Sequence, residues 1–519
     1  MAKDHHENLM SDFSDTEYTS NERQPSNYSP LQSFILAKGD QKHYQQQYGD
    51  MYFLRLAMLK PSVEEIAADA WEGAEIAGET VRRVERVLDV RQGEFCWVAG
   101  TVYRDMPLKP NILDDISKDH WISAPPPRVK YISQSGQDQT MLEDESGRLR
   151  LIGNMLQTTM LVTGCVVAMM GTENANGDFE VVDIKVPDLP RQPQRWERED
   201  SDAALANGSG KSKSKIEGRP AGGKVAILSG LEINGDEADI LAIDLLMEFL
   251  LGEACNQNTQ QDVGSISRLI IAGNSIKEAT LLAPRDEPSD KKASKKYGYD
   301  SAAYNPAPTA HLDNFLATLL PSIPITILPG ESDPANVSLP QQPIHPAMFP
   351  RSRNYASVPG AEEAGWFDSV TNPWEGDIDG WRMMGNGGQP INDVFKYVEG
   401  DERLEMMESL LRWRCGAPTA PDTLCKCKTA NPRGFGKKTD VFHVAGCYPF
   451  QDKDQFVIEE CPHVYFVGNQ PRFETSVIEG PAGQMVRLIA VPIFRETGEI
   501  VILDTETLDV EVIRFSVDE

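Results

Sequence analysis

Positive charge, cysteine and long apolar runs are all scarce in this chain. Its 519 residues carry 50 Lys and Arg against 79 Asp and Glu, a formal net charge of −29. A protein whose main task is gripping phosphate backbones usually has a basic surface, because neutralising phosphates releases counterions. Most of this surface would repel nucleic acid, so any role near DNA is expected to be indirect. The cysteines, at 96, 165, 255, 415, 425, 427, 447 and 461, are too dilute for a disulfide scaffold and read as reduced thiols of the cytosol or nucleus. The longest nearly apolar stretch, 161–171, falls short of the ~20 residues that a bilayer-spanning helix needs. The opening Met1-Ala-Lys-Asp-His-His-Glu lacks the apolar region of a secretory signal. A soluble, intracellular protein is expected. Apolar content is ordinary at 40%, and at roughly 150 residues per domain the length suits two to four domains with sizeable cores.

Patterning divides the chain. Residues 1–30 are polar and rich in Ser, Asn and Asp, and read as a disordered tail. A helical lead-in is expected over 31–88, with Pro61 separating two successive helices. Residues 89–195 read as the next domain, and within them, from Glu94 to about Val186, the period changes to two. Short β runs at Phe95–Tyr103, Val129–Ile132, Thr140–Glu143, Leu149–Ile152, Leu161–Met169 and Phe179–Val182 are separated by Gly, Asn and Asp turns, the pattern of a small Greek-key barrel of the OB type. Residues 196–224 read as a flexible linker or insertion. Its second half, 211–224, holds five Lys and Arg and one Glu, which would serve as an import or phosphate-contacting patch or, on the reading adopted, as a solvated linker.

Beyond Lys224 the texture is α/β over 225–519. Strands are expected at Val225–Leu228, Arg268–Ala272 and Pro324–Leu328, a helix capped by Asp236 after the first, and a helix over His311–Leu320. Met485–Phe494 and Glu499–Phe515 read as a hairpin region around Glu496-Thr-Gly498. Residues 285–304 and 425–446 read as surface loops.

Sites form at the strand ends of such sheets. Here those ends are Ser229-Gly-Leu231, Gly273-Asn274, Gly330-Glu-Ser-Asp333, then His345, and Gly468-Asn-Gln-Pro471. This succession resembles the calcineurin-like metallophosphoesterase superfamily, whose motifs D-x-H, G-D, G-N-H-D/E, a lone His and G-H-x-H hold two metal ions. Ser229, Leu231, Asn274, Glu331, Ser332, Asn469 and Pro471 stand where that family needs ligands. Asp333 and His345 alone keep a metal-binding type, and two ligands do not build a binuclear site. The resemblance therefore implies a phosphoesterase fold without its chemistry, and assigns no catalytic, cofactor or metal residue.

A barrel followed by such a domain resembles the accessory B-subunits of replicative DNA polymerases. Six stretches narrow it: Val102-Tyr-Arg-Asp-Met-Pro-Leu-Lys-Pro-Asn-Ile112, Thr326-Ile-Leu-Pro-Gly-Glu-Ser-Asp-Pro334, Pro343-Ile-His-Pro-Ala-Met-Phe349, Thr419-Ala-Pro-Asp-Thr-Leu424, Cys447-Tyr-Pro-Phe450 and Cys461-Pro-His-Val-Tyr-Phe-Val-Gly-Asn-Gln-Pro471. In order, these resemble the second, small subunits of DNA polymerase delta, of the fungal kind, over most of 31–519. The fold class so implied is α+β and multidomain, an OB-like barrel followed by an α/β phosphoesterase-like domain lacking its metal ligands. The function implied is a non-catalytic nuclear scaffold for replication and repair synthesis. Its partners would be the cysteine-rich, iron-sulfur-bearing C-terminal domain of the catalytic subunit and the third, clamp-binding subunit, with the catalytic subunit of polymerase zeta as a further one.

Alternatives from other classes are an active phosphoesterase or nuclease using Asp333 and His345, and single-strand binding through Tyr103, Arg104, Lys130 and Tyr131. In the family, the stretches at 419–424 and 447–450 lie almost adjacent. Residues 425–446 therefore read as an insertion or a retained intron. Cys425 and Cys427, with Cys415, His443 and Cys447, lack the two close ligand pairs of a structural zinc site. Trp97, Trp374 and Trp413 fit a core as well as an interface.

Overall fold

The computed structural model describes residues 22–36, 48–76, 78–110, 128–133, 136–206, 222–235, 241–253, 255–277, 305–358, 364–424, 426–429, 442–445, 447–448 and 453–516. Helix Tyr48–Trp71 runs unbroken through Pro61. Pro61 and Ala57, whose carbonyl would have bonded to residue 61, both lie on the exposed face, so the orphaned oxygen is left to water. Two helices were expected there; one long helix forms because its buried row, Met51, Arg55, Leu59, Val63 and Ala67, continues at spacing four on both sides of the proline. After Trp71 the lead-in is extended rather than helical, and Arg82–Arg83 pairs in parallel with Cys96 and Trp97.

The barrel is built from Phe95–Asp105, Gln139–Glu143, Arg148–Ile152, Phe179–Lys185 and Val166–Glu173, closed by pairing of the first with the last. Strand parity decides what each face touches. Cys96, Val98, Val102, Val167 and Met169 fill the interior with Leu142, Leu149, Leu151 and Phe179. Trp97, Ala99, Val166, Ala168 and Met170 point outward and are covered by Leu56, Leu59, Val63, Ala67 and Trp71 of the helix. Val129–Ile132, expected as a strand, is an irregular segment, and the strand expected from Leu161 begins at Val166.

Two six-stranded sheets stack in the second half. The first runs Phe367–Ser369, Ile325–Leu328, Ile266–Ala272, Lys224–Leu228, Glu499–Asp504, Val510–Arg514; the leading four are parallel. The second runs Tyr28–Pro30, Trp374–Ile378, Trp381–Asn386, Val464–Gln470, Met485–Pro492, Glu474–Glu479. Val225, Ile227, Ile270, Ala272 and Leu328 meet Trp374, Met383, Val464, Phe466 and Ile489 between the sheets. Ala226, Leu228, Leu269 and Ile271 face helices Leu241–Leu251 and Ala307–Leu319 on one outer surface. Met384, Tyr465, Val467 and Leu488 face helix Arg403–Arg412 and the barrel on the other. The result is helix, sheet, sheet and helix in layers, which explains why the central strands read as unbroken apolar runs. Trp97, Trp374 and Trp413 are each at most 2% exposed, all three core residues.

Other expectations are corrected. Residues 22–30 of the expected tail pack against the sandwich. Arg23 donates to the carbonyls of Leu250, Val263 and Ile266, and Tyr28–Pro30 joins the second sheet beside Trp374–Ile378. Glu197–Ala206, within the expected linker, is helical. Met485–Pro492 and Glu499–Asp504 are not a hairpin: they lie in different sheets, the chain crossing between them through the turn Phe494–Thr497, which Gly498 closes at φ +67°. Lys426–Thr429 and Phe442–Ala445 pair as an antiparallel ribbon inside the expected loop. The Asp236 cap and residues 285–304 lie outside the described residues.

Candidate functional site

The loops at the strand ends lie against one another. Gly230 N–H donates to the Gly273 carbonyl, and the N–H groups of Glu232 and Ile233 to the carbonyls of Asn274 and Ser275, so the two loops extend the parallel ladder. Asn274 and Asn469 adopt φ of +52° and +55°, a region that asparagine tolerates better than most residues. The backbones are in close contact. A Cβ added at Gly330 would lie 2.2 Å from Asn274 N, and one at Gly468 2.2 Å from the Ala272 oxygen.

The side chains at these ends serve the fold. Ser229 is fully buried, its Oγ facing the Val491 and Pro492 carbonyls and accepting from Asn469 N–H. Leu231 sits in the apolar core against the helices. Asn469 Nδ2 donates to Gly387 O at 2.9 Å. Asp333 accepts from Gly330 N–H at 2.8 Å and Ile276 N–H at 2.9 Å, tying two strand-end loops together; burial pushes its carboxyl up to about 6 against these donors. Glu331 and Pro471 are exposed. His345 is exposed too, its Nδ1 accepting from Ala347 N–H to cap a short 3₁₀ turn. Among the described residues, no group of three or more His, Cys, Asp or Glu is placed to hold a metal ion.

Cys415 and Cys447 lie in a small apolar cluster with Met51, Ala417, Ala420 and Phe456. Burial pushes the Cys415 thiol up to about 11, the direction opposite to that of a zinc-bound thiolate. Cys425 and the side chains of Cys427 and His443 lie outside the described residues.

The four residues considered for stacking single strands do other work. Lys130 spends its ammonium on the carbonyls of Phe395, the last residue of helix Gln389–Phe395, and of Val398 and Gly400 in the turn that follows it. Tyr131 is buried edge-on against Tyr397, 5.4 Å between centroids. Arg104 donates to Leu161 O, and Tyr103 lies between the cations of Lys109 and Arg148. Lys130 and Tyr131 thus fasten the barrel to the sandwich.

The joint between barrel, helix and sandwich contains the groups that sequence reasoning missed. Arg55 is fully buried; it donates to the Asp454 carboxylate at 2.8 Å and to Pro418 O at 2.7 Å, with Gly164 O and Ala417 O at 3.4 Å. One guanidinium therefore holds the helix, a barrel loop and two segments of the sandwich. Beside it Lys109 pairs with Asp422 and donates to Thr163 Oγ1, while Tyr397 donates to Asp422. Lys109 and Asp422 belong to two of the six recognised stretches, so those stretches meet in space as an interdomain clasp. The signal for Arg55 was present: an arginine in the position-four row of an apolar helix face.

His463, in another recognised stretch, is 6% exposed and accepts on Nδ1 from Arg382 N–H. Burial, aided by Arg382 and Arg195, pushes its pKa down to about 4. A histidine so depressed stabilises the fold above about 6.5 and loses that contribution as pH falls toward 4, by about 3 kcal/mol in full. The His463→Gln variant is expected to flatten the unfolding free energy over that window in urea titrations. Asp333, raised rather than lowered, contributes most below its ordinary value and loses this as pH rises through about 6. The difference curve between His463→Gln and wild type isolates the histidine; an unchanged slope would show that it titrates normally.

Two family models match the chain: the DNA polymerase delta subunit OB-fold domain over residues 47–184, and the B-subunit of DNA polymerase alpha/epsilon over residues 225–475. The first takes in helix Tyr48–Trp71 with the closed barrel, and the second covers most of the sandwich. The chain is 33% identical to the DNA polymerase delta small subunit of Saccharomyces cerevisiae, over 92% of this chain and 91% of the relative. It is 34% identical to the DNA polymerase delta small subunit of Arabidopsis thaliana, over 95% and 97%. With DNA polymerase delta subunit 2 of Drosophila melanogaster the identity is 31%, over 96% and 99%.

Proposed function

The chain belongs to the family of DNA polymerase delta small subunits, and from that premise we propose that it is a non-catalytic scaffold of the polymerase delta holoenzyme. In this role it is an accessory subunit acting in nuclear DNA replication and in repair synthesis. It would hold the cysteine-rich C-terminal domain of the catalytic subunit and the third, clamp-binding subunit, and serve the polymerase zeta catalytic subunit in translesion synthesis. DNA would be met only through these partners. The observation that carries the reading is the joint: Arg55, Lys109 and Lys130 lock barrel and sandwich into one body, and a rigid body offers broad surfaces at small ordering cost.

We read the sandwich as a calcineurin-like phosphoesterase fold that has lost its chemistry. The four-layer order supports this, as does the use of Ser229, Leu231, Asn469 and Asp333 in packing and backbone hydrogen bonds. A neutral amide at Asn274 cannot offset two adjacent cations where a bridging carboxylate would. Purified protein with added manganese is expected to hydrolyse phosphodiesters no faster than the Asp333→Ala and His345→Ala variants. Turnover that those substitutions abolish would establish an enzyme instead.

The scaffold reading is tested by co-expressing the full chain with a delta catalytic subunit, with and without that subunit's C-terminal domain. Stable co-purification that depends on the domain is expected. Failure to co-purify with either form would overturn the reading.

A further inference from the structure

The sequence holds a single Ser-Pro or Thr-Pro step, Ser29-Pro30, and the fold sets it in strand Tyr28–Pro30 at the edge of the second sheet. That strand is the middle of a strap, residues 22–36, laid across the sandwich. Strand parity sends its side chains two ways. Tyr28 points inward: its ring centroid lies 3.7 Å from the Arg268 guanidinium carbon, and its hydroxyl donates to Asp368 at 2.6 Å. Toward the strap's ends Arg23 holds its three carbonyls, and Phe34, 5% exposed, sits beside Pro373, Met384 and Phe456. Ser29 points to the opposite face and is half-buried.

The charges on that face are already spent on one another. Across the ladder Ser29 pairs with Asp377, whose side chain is 7% exposed and held by Arg382 at 2.7 Å and Arg198 at 3.4 Å. Arg198 comes from helix Glu197–Ala206, which also brings Glu199, an acceptor from Asn27 Nδ2 at 2.8 Å. Arg382, on the next strand, carries Glu460 on its other arm. Glu375, two positions from Asp377 on the same face, accepts from Ser33 Oγ at 2.8 Å. Lys453, whose charge reaches Glu375, is paired with Glu459 at 2.6 Å. Each of these three cations is thus committed to a carboxylate.

We propose that Ser29 is a phosphorylation site for a proline-directed kinase and that its phosphate unseats the strap. The hydroxyl oxygen attacks the γ-phosphorus of ATP, the bond from that phosphorus to the bridging oxygen breaks, ADP leaves, and the hydroxyl proton passes to the kinase's catalytic base. A short strand on an open sheet edge, containing a proline that donates no hydrogen bond, opens locally at small cost and so presents its serine. The phosphate places about −1.5 to −2 charges opposite Asp377. Either it stands against that carboxylate, the like-charge arrangement that destabilises cross-strand pairs, or it takes Arg382 and Arg198 and strands a buried charge. Both favour the lifted strap, in which the phosphate is in water. Lifting withdraws Tyr28 and Phe34 and leaves one edge of Trp374–Ile378 unpaired.

The test uses the full chain. A purified cyclin-dependent kinase with ATP and magnesium is expected to label Ser29, mapped by mass spectrometry, and Ser29→Ala to abolish that label. The chain made with phosphoserine encoded at position 29 is expected to exchange the amide hydrogens of residues 24–36 about five- to thirtyfold faster than the unmodified chain, the change that one strong contact makes in an opening equilibrium. Tryptic cleavage after Arg23 should quicken with it. Asp377→Asn is the charge control, because it frees Arg382 and Arg198 for the phosphate. In that background phosphoserine at 29 is expected to slow exchange of the strap rather than speed it. Absence of label at Ser29, unchanged exchange in the phosphoserine chain, or equal acceleration in the Asp377→Asn background each overturns the proposal.

Discussion

Truncation of Arg55 to alanine is expected to destabilise the chain by about 3–5 kcal/mol, the range for stranding one partner of a buried ion pair. The Asp454 carboxylate is fully buried and, besides Arg55, accepts from Phe456 N–H. Without the guanidinium it remains as an uncompensated charge in an apolar setting. The Pro418 carbonyl loses its 2.7 Å donor at the same time. Asp454→Ala is expected to be comparably harmful, because it strands Arg55 instead. The Arg55→Ala, Asp454→Ala double variant should lose clearly less than the sum of the two single losses, since removing both charges together leaves no orphan. Urea unfolding midpoints of the four proteins check this. Additive losses in the double variant would show that the two groups do not act as a pair.

The second large effect is at Gly164, where the barrel touches the sandwich. A Cβ there would lie 1.9 Å from the Pro418 oxygen and 2.9 Å from an Arg55 nitrogen, and the residue sits at φ +92°. Gly164→Ala therefore meets two penalties: roughly 1–2 kcal/mol for a left-handed backbone and about 1–3 kcal/mol for overpacking against a main-chain atom that cannot turn aside. The oxygen displaced is the one that Arg55 holds, so Gly164→Ala and Arg55→Ala should be less than additive when combined. Faster limited proteolysis of Gly164→Ala, together with a lowered unfolding midpoint, is the expected result. A variant with the wild-type midpoint would mean that the loop at 164 yields without opening the joint.

Both predictions concern a joint whose parts were visible in the sequence without its geometry. The stretches at 102–112 and 419–424 stand out as recognisable text, yet nothing in their spacing says that Lys109 and Asp422 form an ion pair. Arg55 was closer to legible. Met51, Leu59, Val63 and Ala67 define a buried row at spacing four, and an arginine within such a row must find a buried partner or leave the core. That partner, Asp454, lies 399 positions away, and no local pattern encodes so distant a contact. The unbroken helix through Pro61 shows the complementary limit. Proline's local cost predicted a break, and packing of one continuous apolar face against the barrel outweighed it.

The sequence by itself determined the family and the order of an OB-like barrel before an α/β domain. These are properties of residue identity and short-range periodicity, which a linear text carries in full. Tertiary structure alone decided that residues 22–30 add a strand to the second sheet, that 485–492 and 499–504 belong to different sheets, and that Lys130 and Tyr131 serve the joint rather than a nucleic-acid surface. Each of these depends on which distant groups are brought within hydrogen-bonding or van der Waals range. That is settled by burying apolar faces against one another across the whole chain, and only afterwards by the polar groups that must then find partners.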